Sequence, residues 1–125
     1  MRGITWITAD PWHYGHTNLV RRAKEVCDEL IVCVSTSEDI ERRKGRKERF
    51  PLEKRLEWVK EMRSVDIVGI QDPGFSKADA VSKWNPDAIF VSDEYMDRDW
   101  EGKSLGVTVI YLPYTQGVSS TSICE

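Results

Sequence analysis

The chain contains two histidines, His13 and His16, in the run Asp10-Pro11-Trp12-His13-Tyr14-Gly15-His16. A β-branched, aromatic run precedes them and a helical pattern follows, so they stand where a strand turns into a helix. Their spacing puts both imidazoles on one side of the chain as it enters the helix. Gly15 lets backbone come close to a ligand. A helix N-terminus offers free N–H groups and a positive dipole end, which favour phosphate. Imidazoles in that place donate hydrogen bonds to phosphate oxygens. Two other readings stand beside this one. The pair is incidental, or it ligates a metal, for which no third ligand of suitable type lies nearby in the sequence. Position at a strand-to-helix turn favours phosphate over both.

Three further groups carry candidate chemistry. Asp10 is expected to orient an imidazole, to help hold Mg²⁺, or only to bond its own backbone in a turn. Glu41-Arg42-Arg43-Lys44-Gly45-Arg46-Lys47-Glu48-Arg49 is the most basic stretch of the chain. It reads either as a flexible loop that closes over an anion and excludes water or as a solvated charged loop. Ser119 and Ser120 follow Gly117-Val118, and they present hydroxyl and N–H groups to phosphate or act as a plain helix cap.

The elements that must position these residues follow from periodicity. Ile4 to Thr8 reads as a buried strand, ended by Pro11. Thr17 to Glu29 carries Leu19, Val20, Ala23, Val26 and Cys27 at helical spacing. Leu30 to Val34 is continuously apolar, as in a strand covered on both faces. Ser35 to Arg49 reads as a charged loop. Pro51 suits the first turn of a helix whose stripe is Leu52, Leu56, Val59 and Met62. Val65 to Ile70, Ala88 to Val91 and Val107 to Leu112 are strands; Lys77 to Trp84 is a helix ended by Asn85-Pro86. Ser119 to Glu125 has room for a short last helix. This alternation predicts an α/β domain over residues 1–125, Rossmann-like, with a five-stranded parallel sheet and helices on both faces. Ligands in such sheets bind beyond the carboxyl ends of the strands, near the point where strand order reverses.

The histidine segment resembles the His-x-Gly-His signature of the cytidylyltransferase-like nucleotidyltransferases, a group that includes glycerol-3-phosphate, cholinephosphate and ethanolaminephosphate cytidylyltransferases and several adenylyltransferases. Family members open with a strand ending in Gly-Thr-Phe-Asp, and here Thr8 and Asp10 keep their places before His13. Arg63-Ser64-Val65-Asp66 resembles the family segment before the third strand. Pro86-Asp87 to Asp93 resembles the strand that ends near the nucleotide. Tyr111 to Ser120 is similar to the segment containing Arg-Thr-x-Gly-Ile-Ser-Thr. The resemblance spans nearly the whole chain, and the short length is nearest the bacterial glycerol-3-phosphate enzymes.

The resemblance implies a reaction in which an acceptor's phosphate attacks the α-phosphorus of CTP or ATP and pyrophosphate leaves, with Mg²⁺ accompanying the triphosphate. It implies catalytic roles for His13, His16, Lys44 and Arg46. It also implies nucleotide contacts from Thr8, Ala9, Asp10, Gly15, Lys47, Arg55, Asp93, Tyr114, Thr115, Gly117, Ser119 and Ser120, with Asp10 as the metal ligand, and it implies a homodimer. Three departures stand out. Ile7 replaces the family glycine and would reshape the nucleotide approach, Ala9 replaces the phenylalanine, and Tyr114 replaces an arginine whose charge it cannot supply.

Bulk properties narrow the remaining classes. With 125 residues the chain has room for one core, and its 40% hydrophobic and 31% charged residues are ordinary for a globular domain. A net charge of -3 argues against general binding of nucleic acid or anionic membrane. Cys27, Cys33 and Cys124 are odd in number without zinc-finger spacing, as free thiols in a reducing compartment would be. No apolar stretch approaches the ~20 residues of a membrane span, and the first ten residues do not resemble a secretory signal. The expectation is a cytoplasmic enzyme acting on a nucleoside triphosphate and a phosphorylated small molecule. A nucleotide-binding module without turnover is the alternative class.

Overall fold

The structure, a computed structural model, describes residues 1–113. Tyr114, Thr115, Gly117, Ser119, Ser120 and the expected last helix lie outside the described residues. Five strands form one all-parallel sheet: β1 (Arg2–Ile7), β2 (Glu29–Ser35), β3 (Ile67–Gln71), β4 (Ala88–Ser92) and β5 (Thr108–Leu112). Their order is β3-β2-β1-β4-β5, so the strand order reverses between β1 and β4. The register there sets Ile4 beside Ile31 on one side and Ile89 on the other.

The period-two alternation of strand side chains splits β2 between two cores. Leu30, Val32 and Val34 pack with Val20 and Ala23 of α1 (Tyr14–Val26) and Val59 of α3 (Leu52–Lys60). Ile31 and Cys33 face the opposite way, toward Ala80 and Trp84 of α4 (Lys77–Trp84). Helices therefore cover both faces, and the continuous burial from Leu30 to Ser35 follows.

Two boundaries differ from the sequence reading. The first helix starts at Tyr14 rather than Thr17, because His13 and His16 cap it, and it ends at Val26 because Glu29 already pairs with Arg2 in the sheet. The segment from Ser35 to Arg49 is not a loop throughout. It holds a helix, α2 (Ser37–Lys44), capped by the Thr36 hydroxyl, which accepts from Asp39 N–H at 3.2 Å. Acidic Glu38 and Asp39 in its first turn and Arg42, Arg43 and Lys44 in its last complement the helix dipole. Gly45 ends it at φ 67, a conformation that glycine adopts without a side-chain clash. Pro51 stands just before α3 rather than inside its first turn.

Candidate active site

A cleft of about 720 Å³ opens at the carboxyl ends of β1 and β4, where the strand order reverses. The end of β1 supplies Ile7 and Thr8, the start of α1 supplies His13, Gly15 and His16, and the end of α2 supplies Lys44. These are the elements a parallel sheet brings together at its ligand end.

The histidines cap α1 with their own side chains. His13 Nδ1 accepts from Gly15 N–H at 3.1 Å, and His16 Nδ1 accepts from His13 N–H at 3.1 Å. The rings stack at 3.7 Å between centroids, and Trp12 lies 5.0 Å from His16. An Nδ1 that accepts carries no proton, so these bonds assign the proton of each neutral ring to Nε2. Burial lowers both histidines from their ordinary value. His16 falls to about 3, through burial first and then the charges of His13 and Lys44. At neutral pH both rings are therefore uncharged Nε2–H donors. The sequence reading expected free backbone N–H groups at this helix start. Gly15 N–H is spent on His13 Nδ1, and His16 N–H on His13 O. The imidazoles supply the donors instead.

The basic segment divides into arginines with partners and two lysines, Lys44 and Lys47, whose amines make no ion pair among the described residues. Asp39 holds Arg42 and Arg43, both at 2.8 Å, and Arg43 also donates to the hydroxyls of Thr8 and Ser35. Arg46 pairs with Asp10 at 2.9 Å and lines the cleft. Lys44 lines the cleft and makes no ion pair among the described residues. Burial, followed by the charges of Arg43, Arg46 and Arg49, lowers its amine from the ordinary lysine value. Lys47 does not line the cleft; only its carbonyl is engaged, accepting from Arg46.

Four further residues expected at the site do not line the cleft. Arg55 is fully buried and does not reach the cleft. It donates to the carbonyls of Thr8, Ser35 and Phe50 and pairs with Glu48 at 2.6 Å, tying the ends of β1 and β2 to the segment before α3. Asp10 is fully buried as well. One oxygen accepts from Phe50 N–H, the other from Arg46 and Arg49 N–H. Burial pushes its carboxyl up, but these donors outweigh that and hold it below the ordinary range. With both oxygens committed, Asp10 does not fit a magnesium ligand, and it anchors the basic segment rather than an imidazole. Among the described residues no three His, Cys, Asp or Glu side chains gather as a metal set. Ala9 is fully buried at φ 56 and packs in the core instead of lining the cleft. Asp93 opens a short 3₁₀ turn, Asp93–Tyr95, and its neighbours Ser92, Glu94 and Tyr95 line the cleft in its place. Ile7, which stands where the family has glycine, is 5% exposed and sends its bulk into the core.

The far side of the cleft is built from separate parts of the chain. Trp6, Arg42, Lys77, Trp100 and Glu101 line it. Glu101 bridges Arg42 at 3.0 Å and Lys77 at 3.6 Å. Lys77 Nζ lies over the Trp6 ring, 5.3 Å from its centroid. These residues come from β1, α2, α4 and the β4–β5 connection, and no local pattern joins them.

A family model described as cytidylyltransferase-like matches residues 4–125. The chain is 41% identical to a glycerol-3-phosphate cytidylyltransferase of Staphylococcus aureus, with 98% of this chain and 91% of that protein covered. It is 39% identical to an FAD synthase of Pyrococcus horikoshii, over 82% of this chain and 73% of that one. The fold matches that of a lipopolysaccharide core biosynthesis protein from Thermoplasma volcanium at a TM-score of 0.73, with 24% identity, 92% of this chain and 96% of that chain covered. With the histidine-capped helix at the strand-order reversal and a family match over nearly its whole length, the chain belongs to the cytidylyltransferase-like family of nucleotidyltransferases.

Proposed function

We propose that the protein transfers a cytidylyl group from CTP to a small phosphorylated alcohol of the glycerol 3-phosphate kind, releasing pyrophosphate. The observation that carries this reading is the convergence of two uncharged Nε2–H donors with one unpaired lysine in a single cleft. Phosphoryl chemistry of this class needs positioning and charge stabilisation more than a covalent intermediate. His13 and His16 donate to the oxygens of the transferred and leaving phosphates, and Lys44 offsets the charge that builds on them. Because the donors are held by the helix cap, they need no reorganisation as the reaction proceeds. Arg46 stands beside Lys44, oriented by Asp10. Magnesium is expected to arrive on the triphosphate, since Asp10 is committed elsewhere. A cytoplasmic homodimer is the expected setting.

The 41% identity to a glycerol-3-phosphate cytidylyltransferase over nearly both full lengths supports the acceptor and the base. The 39% identity to an FAD synthase supports a second reading, ATP-dependent adenylyl transfer to a phosphorylated cofactor precursor. A pyrophosphate-release screen separates the two. It crosses the four nucleoside triphosphates with glycerol 3-phosphate, other phosphorylated alcohols and flavin mononucleotide, with Mg²⁺ present. We expect release with CTP and glycerol 3-phosphate, and a fall of about 10²–10³-fold in His13→Ala and His16→Ala, the usual cost of one lost oxyanion donor. Full activity in both variants would remove the histidines from the mechanism.

A further inference from the structure

The His16 ring needs more than its Nδ1 bond to be aimed. The torsion that turns an imidazole about its stem is broad and soft. The bond from His13 N–H holds one corner of the ring at 3.1 Å, and the ring can still swing about that corner. Two aromatic neighbours limit the swing. His13 stacks on it at 3.7 Å between centroids with the planes 20° apart, and Trp12 meets it at 5.0 Å with the planes 48° apart. His13 belongs to the cap itself, so Trp12 is a wall brought from outside the cap.

Trp12 is held in turn. Its indole N–H donates to the Thr17 hydroxyl at 2.9 Å, and its ring packs on the core that includes Val20 and Ala23. With His13 as the cap residue of α1, Trp12 stands just before the cap and Thr17 directly after His16 in the first turns of the helix. These are the two positions at which an apolar pair commonly staples a helix start and fixes the angle at which the chain enters. Here a hydrogen bond closes the same loop of chain around the histidine pair. An indole nitrogen is a donor only, and Trp12 spends its donor on Thr17. Neither Trp12 nor Thr17 lines the cleft, and both lie outside the His-x-Gly-His run. Their reach to a ligand is through His16.

We propose that Trp12 and Thr17 are positioning residues, whose hydrogen bond holds the indole against His16 and so sets the direction in which His16 Nε2–H meets a phosphate oxygen. The role rests on the nucleotidyl-transfer reading above for the oxygen, whereas the staple can be measured without turnover. The same wall keeps water from the ring. Burial is the largest cause of the low His16 value of about 3. The charged groups that face it are His13 from its own segment and Lys44 from the end of α2, and both push the same way. Loosening the indole admits water and raises the imidazole toward its ordinary 6.5.

The test uses the full chain, with CTP and glycerol 3-phosphate as probes. Thr17→Val removes the acceptor with little change of shape, Trp12→Phe removes the donor and keeps a ring, and Thr17→Ser keeps the hydroxyl. Pyrophosphate release gives kcat, calorimetry gives CTP affinity, and NMR of the ring nitrogens gives the titration of His16 without substrate. Thr17→Val and Trp12→Phe are each expected to lower kcat about tenfold with CTP affinity within about twofold, since a misaimed donor tells most on charge that develops in the transition state. The double variant is expected to lose no more than either single one, because one bond is removed in all three. Thr17→Ser should match wild type, and His16 should titrate higher in Thr17→Val. Unchanged kcat in Thr17→Val and Trp12→Phe would overturn the inference, as would a Thr17→Ser variant as impaired as Thr17→Val or losses that add in the double variant. If wild-type protein releases no pyrophosphate with any triphosphate and acceptor, the transferase reading falls alone, and the NMR arm decides the staple: a His16 in Thr17→Val that titrates as in wild type would overturn it.

Discussion

Taking the protein from pH 7 to pH 5 should weaken it through the histidines that build its first helix. Both Nδ1 atoms accept backbone hydrogen bonds, and protonation there converts an acceptor into a donor and breaks the cap. The folded His16 protonates only near pH 3, against 6.5 for a free imidazole. Between those values the unfolded chain binds a proton that the folded chain refuses. Stability is therefore complete above about 6.5 and is lost as the pH falls toward 3. At pH 5 the gap for one such imidazole is about 2 kcal/mol, a ceiling from 1.36 kcal/mol per pH unit over some 1.5 units. His13 is lowered as well and adds in the same direction. Other groups leave this window nearly clear. The carboxylates of Asp10, Asp39 and Asp66 are held low, so their contribution fades only below their ordinary values near 3.8. The raised N-terminal amine changes only at alkaline pH. Urea unfolding followed by circular dichroism at pH 5, 6, 7 and 8 reads the effect. His16→Asn keeps an oxygen to accept the His13 N–H and cannot titrate, so its stability should vary much less across the range. An unchanged wild-type stability between pH 7 and 5, or an undiminished slope in His16→Asn, would refute the tautomer assignment.

Three further outcomes follow from the same contacts. Lys44→Met should lower kcat by about 10²-fold or more and leave the melting temperature nearly unchanged, because Lys44 holds no partner in the described structure; equal losses in both would place it in the scaffold. Arg55→Met should cost about 3 kcal/mol in urea unfolding, since it strands Glu48 and the carbonyls of Thr8, Ser35 and Phe50; a variant as stable as wild type would contradict its role as an internal tie. Asp10→Asn should destabilise the basic segment but leave the Mg²⁺ concentration for half-maximal activity unchanged; a tenfold rise would restore Asp10 as a ligand.

The alternation of strands and helices was legible because each strand is a short apolar run and most helices carry an apolar stripe. The histidines were legible because their position at a strand-to-helix turn has a physical meaning. What they do with Nδ1 was not, since a histidine capping a helix looks like any polar residue in sequence. Helix α2 was hidden because Ile40 is its one buried apolar residue; its signals were the Thr36 cap, the acidic first turn, the basic last turn and Gly45. Arg55 carries its own sign in the sequence. It stands within the stripe of Leu52, Leu56 and Val59, where an arginine must be buried and paired. The Lys77–Glu101 contact joins residues far apart in the chain, and only the fold could reveal it.

The basic segment is mounted on α2 as far as Lys44 rather than being a loop throughout, and this changes how its cations meet an anion. Asp39 clasps two arginines at once, the Thr36 hydroxyl donates to Asp72, and Arg43 is fastened to the ends of β1 and β2 through Thr8 and Ser35. Lys44 therefore stands on a braced platform before any triphosphate arrives. Side chains already fixed by such bonds lose little conformational freedom when an anion arrives beside them.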